Sequence, residues 1–120
     1  MRILLVEDEV EVRALLRVGL KIHTALEVVG EAETAASGAA MAKRLQPQVI
    51  LLDLRLPDSA PRDTFATVRA AAPGSRVVIY SAKESSRRWY EQQGAAFFGK
   101  STDQLATLLD WCRREAERGD

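Results

Sequence analysis

A single cysteine, Cys112, stands among the 120 residues, so no disulfide can form within the chain and a reducing cytoplasm is the expected compartment. No stretch approaches the ~20 consecutive apolar residues of a membrane-spanning helix, and the opening MRILLV is too short for a secretion signal before acids follow. An excess of one charge is missing too. The 17 basic and 17 acidic residues cancel, which argues against a general nucleic-acid or membrane surface. No basic helix preceded by a turn is present to read DNA directly. Neither a phosphate-cradling loop nor a dinucleotide glycine pattern occurs, so nucleotide binding has no support. The lone histidine, His23, falls late in the first helical stretch and reads as a surface residue rather than a ligand or phosphodonor.

What remains is ordinary globular material, 47% hydrophobic and 28% charged, enough for one domain over residues 1–118 with a charged tail at 119–120. Apolar runs alternate with longer stretches of helical period. Strands are expected at Ile3–Val6, Leu26–Ala32, Val49–Asp53, Arg76–Ser81 and Ala95–Phe98. Between them fall helices at about 9–24, with Val12, Leu15, Leu16 and Gly19 along one face, and at 34–45, with Ala35, Ala39, Ala42 and Leu45 as the buried stripe. A third helix is expected at 62–71, a short one at 85–93 ended by Gly94, and a last one at 102–118 that buries Leu105, Leu108, Leu109 and Cys112. Trp89 and Tyr90 are adjacent, so one should be core and the other exposed, the exposed one being a candidate partner contact. Strict alternation implies right-handed crossovers, a doubly wound parallel α/β sheet, and a ligand site beyond the carboxyl ends of the strands.

The residues just past those strand ends are chemically coherent. They are Glu7 and Asp8, Asp53, Ser81 and Lys100. Two carboxylates ~4 Å apart repel by about 4 kcal/mol at an effective dielectric near 20, so three at one rim call for a cation. All-oxygen ligation suits Mg²⁺, or Mn²⁺ in its place. A carboxylate between a divalent ion and a lysine, beside a hydroxyl, is arranged to receive a phosphoryl group. Asp53 is then the nucleophile.

The fragments ILLVEDE (3–9), VILLDLRLPD (49–58), YSA (80–82) and GAAFFGKS (94–101), in that order, resemble a two-component response-regulator receiver domain of the CheY-like kind. The resemblance implies a flavodoxin-like sheet of order 2-1-3-4-5 flanked by five helices. It makes Asp8 a direct Mg²⁺ ligand, Glu7 a ligand through water, and the backbone carbonyl of Arg55 a third protein ligand beside Asp53. Asp53 would accept its phosphoryl group from a sensor histidine kinase or phosphotransfer protein. Ser81 and Lys100 would hold phosphoryl oxygens, and Phe97 would be the aromatic switch that follows Ser81. Arg55 and Lys83 occupy the positions that tune phosphoryl lifetime, and both being basic, they are expected to crowd the attacking water. A homodimer and a linked DNA-binding output domain beyond these residues are among the arrangements the resemblance admits.

The pattern also departs from the family. Ser101 replaces the usual proline after the lysine, and S-T-D-Q at 101–104 reads as a capping box, a variant common in receivers attached to helix-turn-helix domains. The glycine expected soon after LPD is absent. The 19-residue step from Ser81 to Lys100 is short by nearly one helical turn, so the fourth helix should be truncated or remodelled. Two other functions compete: a receiver-like interaction module that is never phosphorylated, and a Mg²⁺-dependent phosphohydrolase. The latter wants an acid two residues after its nucleophile, where this chain has Arg55.

Overall fold

Successive residues of a strand point to opposite faces of a sheet. Ile3 and Leu5 of β1 (Arg2–Val6), Val49 and Leu51 of β3 (Val49–Leu52), and Val78 and Tyr80 of β4 (Arg76–Ser81) share one face. There they meet Leu16 and Leu20 of α1 (Val10–Lys21) and Leu108 and Cys112 of α5 (Thr102–Arg118). Leu4, Val6, Ile50, Leu52, Val77 and Ile79 share the other face, covered by α2 (Ala35–Leu45), α3 (Pro61–Ala71) and α4 (Arg87–Gln92). With β2 (Glu27–Ala32) and β5 (Ala96–Gly99) they form one parallel sheet in the order β2-β1-β3-β4-β5. The computed structural model describes residues 1–82 and 85–118. All four residues of β3 are buried, as a central parallel strand covered on both faces requires.

Two helical faces differ from the sequence expectation. Leu15 is 54% exposed, and the buried residues of α1 are Leu16 and Leu20. Adjacent leucines sit about 100° apart around a helix, so only one of the pair can face the sheet. The helix also stops at Lys21, because the chain turns through His23, whose carbonyl accepts the Leu26 N–H at 3.0 Å, to enter β2. In α2 the buried stripe runs through Gly38 rather than Ala39. A Cβ at Gly38 would lie 2.8 Å from Val6 Cγ1, so the missing side chain is what lets α2 press onto the end of β1.

The ends of the elements follow local chemistry. The Thr34 hydroxyl accepts the Ser37 N–H at 3.0 Å and caps α2, and Asp58 accepts the N–H groups of Ala35 and Ala36 at 2.8 and 3.0 Å from across the fold. Gln46 closes α2 in the left-handed conformation, with Pro47 after it. α4 has only six residues, begins at Arg87 rather than Ser85, and has no side-chain cap on Ser86. Gly94 ends that segment at a φ of +90°, which glycine takes without strain. At α5 half of the expected capping box forms. The Ser101 hydroxyl accepts the Gln104 N–H at 3.2 Å, but Gln104 Oε1 accepts from Gly99 at 3.4 Å rather than from Ser101. Burial pushes the Cys112 thiol up to about 12, leaving it a core residue without thiolate reactivity.

Candidate functional site

The parallel ladder runs one residue past the strands, and that extra rung places the site. The Glu7 N–H donates to the Ala32 carbonyl at 2.9 Å, the Asp53 N–H to the Val6 carbonyl at 2.9 Å, and the Lys100 N–H to the Ser81 carbonyl at 3.1 Å. Residues scattered over the chain are thereby held in rank along one rim by backbone bonds. Carboxylate oxygens of Glu7, Asp8 and Asp53 lie within 4.8 Å of one another. Glu7 and Asp53 are buried, and Asp8 is half-buried.

Lys100 faces two of them and one more acid, Glu9. Its ammonium lies 2.9 Å from Glu7 Oε1, 3.2 Å from Asp53 Oδ2 and 3.5 Å from Glu9 Oε1. The contact with Asp53 is a hydrogen bond, whereas Glu7 Oε1 is buried in ion-pair contact but has no aligned hydrogen-bond partner. Burial alone would lower the Lys100 ammonium, but the carboxylates of Glu7 and Asp53 outweigh it and the net shift is upward. Glu7 moves the other way from an ordinary acid. Burial first, then the neighbouring Asp53, raises its carboxyl to about 8. Glu7 therefore holds a proton near neutral pH, which a cation bound beside it would displace. Three oxygen donors around a small hollow fit a hard divalent cation.

Loop chemistry orients the central carboxylate. Asp53 Oδ1 accepts the N–H of Arg55 at 3.2 Å, an Asx turn that fixes the side chain while the other oxygen meets Lys100. The Arg55 side chain is exposed. Ser81 is fully buried at the end of β4, and Phe97, three residues before Lys100, is 2% exposed and already inward. Lys83 lies outside the described residues.

Sequence reasoning missed two contributors. Glu9, which caps nothing itself, is the third acid around Lys100. Arg13 donates to the Glu7 carbonyl at 2.8 Å while its guanidinium contacts Glu31 at 3.1 Å and Glu33 at 3.0 Å, tying the acid loop to the end of β2. The spaced acids at the end of β2, opposite an arginine on the first turn of α1, were the available signal.

Beside the pocket, on the β4 side, lies a cavity of about 330 Å³ lined by Leu54, Arg55, Pro61, Ser81, Ser85, Ser86 and Tyr90. An aromatic cluster backs it. Tyr90 meets Phe65 edge-on at 5.4 Å and Trp89 at 4.9 Å, and lies tilted over Phe97 at 6.0 Å. Arg62 lies over the Trp89 ring at 4.2 Å. Tyr90 is thus the core member of the adjacent pair, and Trp89 is half-buried.

Comparison with known proteins bears on the family and the fold. The family described as response regulator receiver domain matches residues 3–104. A protein-glutamate methylesterase/protein-glutamine glutaminase of Cereibacter sphaeroides is 36% identical over 85 residues, which are 71% of this chain and 23% of that protein. The nitrate/nitrite response regulator NarL of Escherichia coli is 32% identical over 79 residues, 66% of this chain and 37% of that one. The chain therefore spans well under two thirds of these relatives. Among solved structures, the signal receiver domain of NarL from Mycobacterium tuberculosis is 28% identical with a TM-score of 0.75, covering 93% of this chain and 95% of that one. The response regulator domain of Thermotoga maritima CheB shares the fold, with a TM-score of 0.83 at 19% identity over 98% of this chain and 94% of that one.

Proposed function

The chain belongs to the response regulator receiver domain family, and on that premise we propose that Asp53 is the residue that takes up the phosphoryl group, with Glu7, Asp8 and the Arg55 carbonyl holding Mg²⁺ beside it. It is the receiver domain of a two-component response regulator. The observation that carries the residue assignment is the cluster of the Glu7, Asp8 and Asp53 carboxylates, two of them in contact with Lys100. Bound Mg²⁺ would supply the positive charge that offsets these acids and the developing charge on the transferring oxygens.

The donor is a phosphohistidine of a sensor kinase or phosphotransfer protein. An Asp53 carboxylate oxygen bonds to phosphorus while the phosphorus–nitrogen bond breaks, and the leaving imidazole keeps the electron pair and gains a proton from solvent. Lys100 stays paired with the site and neutralises one phosphoryl oxygen. Ser81 donates its hydroxyl to another. Phe97 completes the response as the neighbouring switch aromatic, and Arg55 with Lys83 slows hydrolysis by crowding the approach of water. Among the described residues the four exposed large apolar side chains are Val10, Leu15 and Val18 on α1, which begins beside the acid pocket, and Ile22 just past its end. That stripe supports a kinase helix seated there.

Membership of the receiver family supports a cytoplasmic site of action; no helix among the described residues is long and apolar enough to cross a membrane. Relatives named as transcriptional regulatory proteins support a DNA-binding output in a longer protein, and the chain's own chemistry would be confined to phosphorylation and dephosphorylation at Asp53. The test is incubation with acetyl phosphate, with and without Mg²⁺, followed by intact-mass spectrometry. A Mg²⁺-dependent phosphoryl adduct that disappears in Asp53→Ala is the expected result. An adduct that survives Asp53→Ala, or none in the unaltered protein, would refute the assignment.

A further inference from the structure

The cavity beside Ser81 is lined by a tyrosine that the phosphoacceptor chemistry above does not use. Tyr90 is 1% exposed, yet it lines this cavity together with Ser81. Its ring is fixed on three sides, by Phe65, Trp89 and Phe97. Its hydroxyl has no hydrogen-bond partner among the described residues, and burial holds that hydroxyl's pKa above its ordinary value, so it carries a proton to donate. That hydroxyl borders the cavity it shares with Ser81, where a new acceptor can reach it.

We infer that Tyr90 is a positioning residue that reads the state of Asp53 through Ser81. The step rests on the phosphoacceptor assignment above. A serine hydroxyl has one proton and two lone pairs. When Ser81 donates its proton to a phosphoryl oxygen, its lone pairs turn back toward the cavity, and the Tyr90 hydroxyl donates into them. Tyr90 gains the partner it lacks, and the shift passes into α4.

The surroundings suit such a relay. Phe97 has no hydroxyl and is already inward, beneath Tyr90, so the polar reporter in this part of the fold is the tyrosine. α4 is a helix of six residues without a side-chain cap at its start, and short helices depend on tertiary contacts for their placement. The ring of Tyr90 is one of those contacts. Trp89 packs edge-on against that ring, with Arg62 over its face, so a movement of Tyr90 changes the environment of an indole near the surface.

That indole makes the inference measurable. The chain has two tryptophans, Trp89 and Trp111, and Trp111→Phe leaves Trp89 as the sole indole fluorophore. Beryllofluoride with Mg²⁺ serves as the phosphoryl mimic, and Trp89 emission is followed on its addition. The expected result is a shift in emission in the Trp111→Phe protein, its loss in Ser81→Ala, and a fall to about half or less in Tyr90→Phe, which keeps the ring and its packing and removes only the hydroxyl. Circular dichroism confirms that each variant is folded. The acetyl phosphate adduct is measured by mass on the same samples. An adduct in Tyr90→Phe together with a full-sized Trp89 shift would overturn the relay while leaving the phosphoacceptor assignment standing. The absence of any adduct in the Trp111→Phe protein would overturn both.

Discussion

Around Asp53 the rim of the sheet is held by charge, with Lys100 reaching Glu7, Glu9 and Asp53 across 2.9 to 3.5 Å, whereas one strand over, at Ser81, it is walled by rings and hydroxyls. The first region is stabilised by opposite charges at low exposure and should answer to cations, pH and salt. The second is stabilised by buried area and edge-on aromatic contacts, and should ignore all three. The two meet at Ser81, the last residue of β4, and at Arg55, whose N–H donates to Asp53; both line the cavity. A signal that begins as charge on one side can therefore become packing on the other.

The largest expected effect lies on the aromatic side. Phe65→Ala removes a buried ring that touches both Trp89 and Tyr90 and should cost about 4 kcal/mol. Urea unfolding should give the same loss with and without Mg²⁺, and a Mg²⁺-dependent loss would erase the distinction between the regions. Next is Lys100→Met, which leaves Glu7 and Asp53 facing each other without a counter-charge. It should cost about 3 kcal/mol in chelator, since breaking one partner out of a buried pair strands the other. Here the loss should shrink on adding Mg²⁺. A loss equal in both buffers would count against the acids forming a cation site.

Much of this was legible in the order of the residues. The alternation of strands and helices predicted the sheet, and reading the positions after each strand picked out Glu7, Asp8, Asp53, Ser81 and Lys100, because a parallel ladder must carry those positions to one rim. Faces of helices were harder. Leu15 and Leu16 are chemically alike, and only the packing of α1 on β1 and β3 tells which one is buried. In α2 the run of alanines offers no contrast, and the close approach of Gly38 to Val6 belongs to three dimensions. Arg13 and Glu9 escaped notice because long side chains reach partners that spacing cannot reveal. The sequence also left Trp89 and Tyr90 undecided between core and surface. A cavity is a shape, and no motif encodes it.

Smaller effects sharpen the comparison. Arg62→Ala removes a cation from the face of a half-buried indole and should cost about 0.5 kcal/mol, independent of Mg²⁺. A double-mutant cycle with Trp89→Leu should recover that coupling, and additive single losses would mean the contact is idle. Smallest and most dependent on conditions is Asp58, whose carboxylate caps α2 through the N–H groups of Ala35 and Ala36. Those bonds hold its carboxyl below the ordinary value of 3.8. A depressed carboxyl stabilises the fold fully above its unfolded value, and the stabilisation fades as pH falls through the folded one. The stability gap between the unaltered protein and Asp58→Asn should therefore be open at about pH 6 and close by about pH 2. A gap that stays constant over that range would mean the charge of Asp58 does no capping.

The central claim is that one carboxylate, Asp53, receives the phosphoryl group, and chemical trapping tests it at the level of the residue. After treatment with acetyl phosphate and Mg²⁺, borohydride reduces an acyl phosphate to the alcohol, and digestion with tandem mass spectrometry locates the reduced side chain. The account predicts reduction at Asp53, lost when Mg²⁺ is chelated. Reduction at Glu7 or Asp8 with Asp53 intact would contradict it.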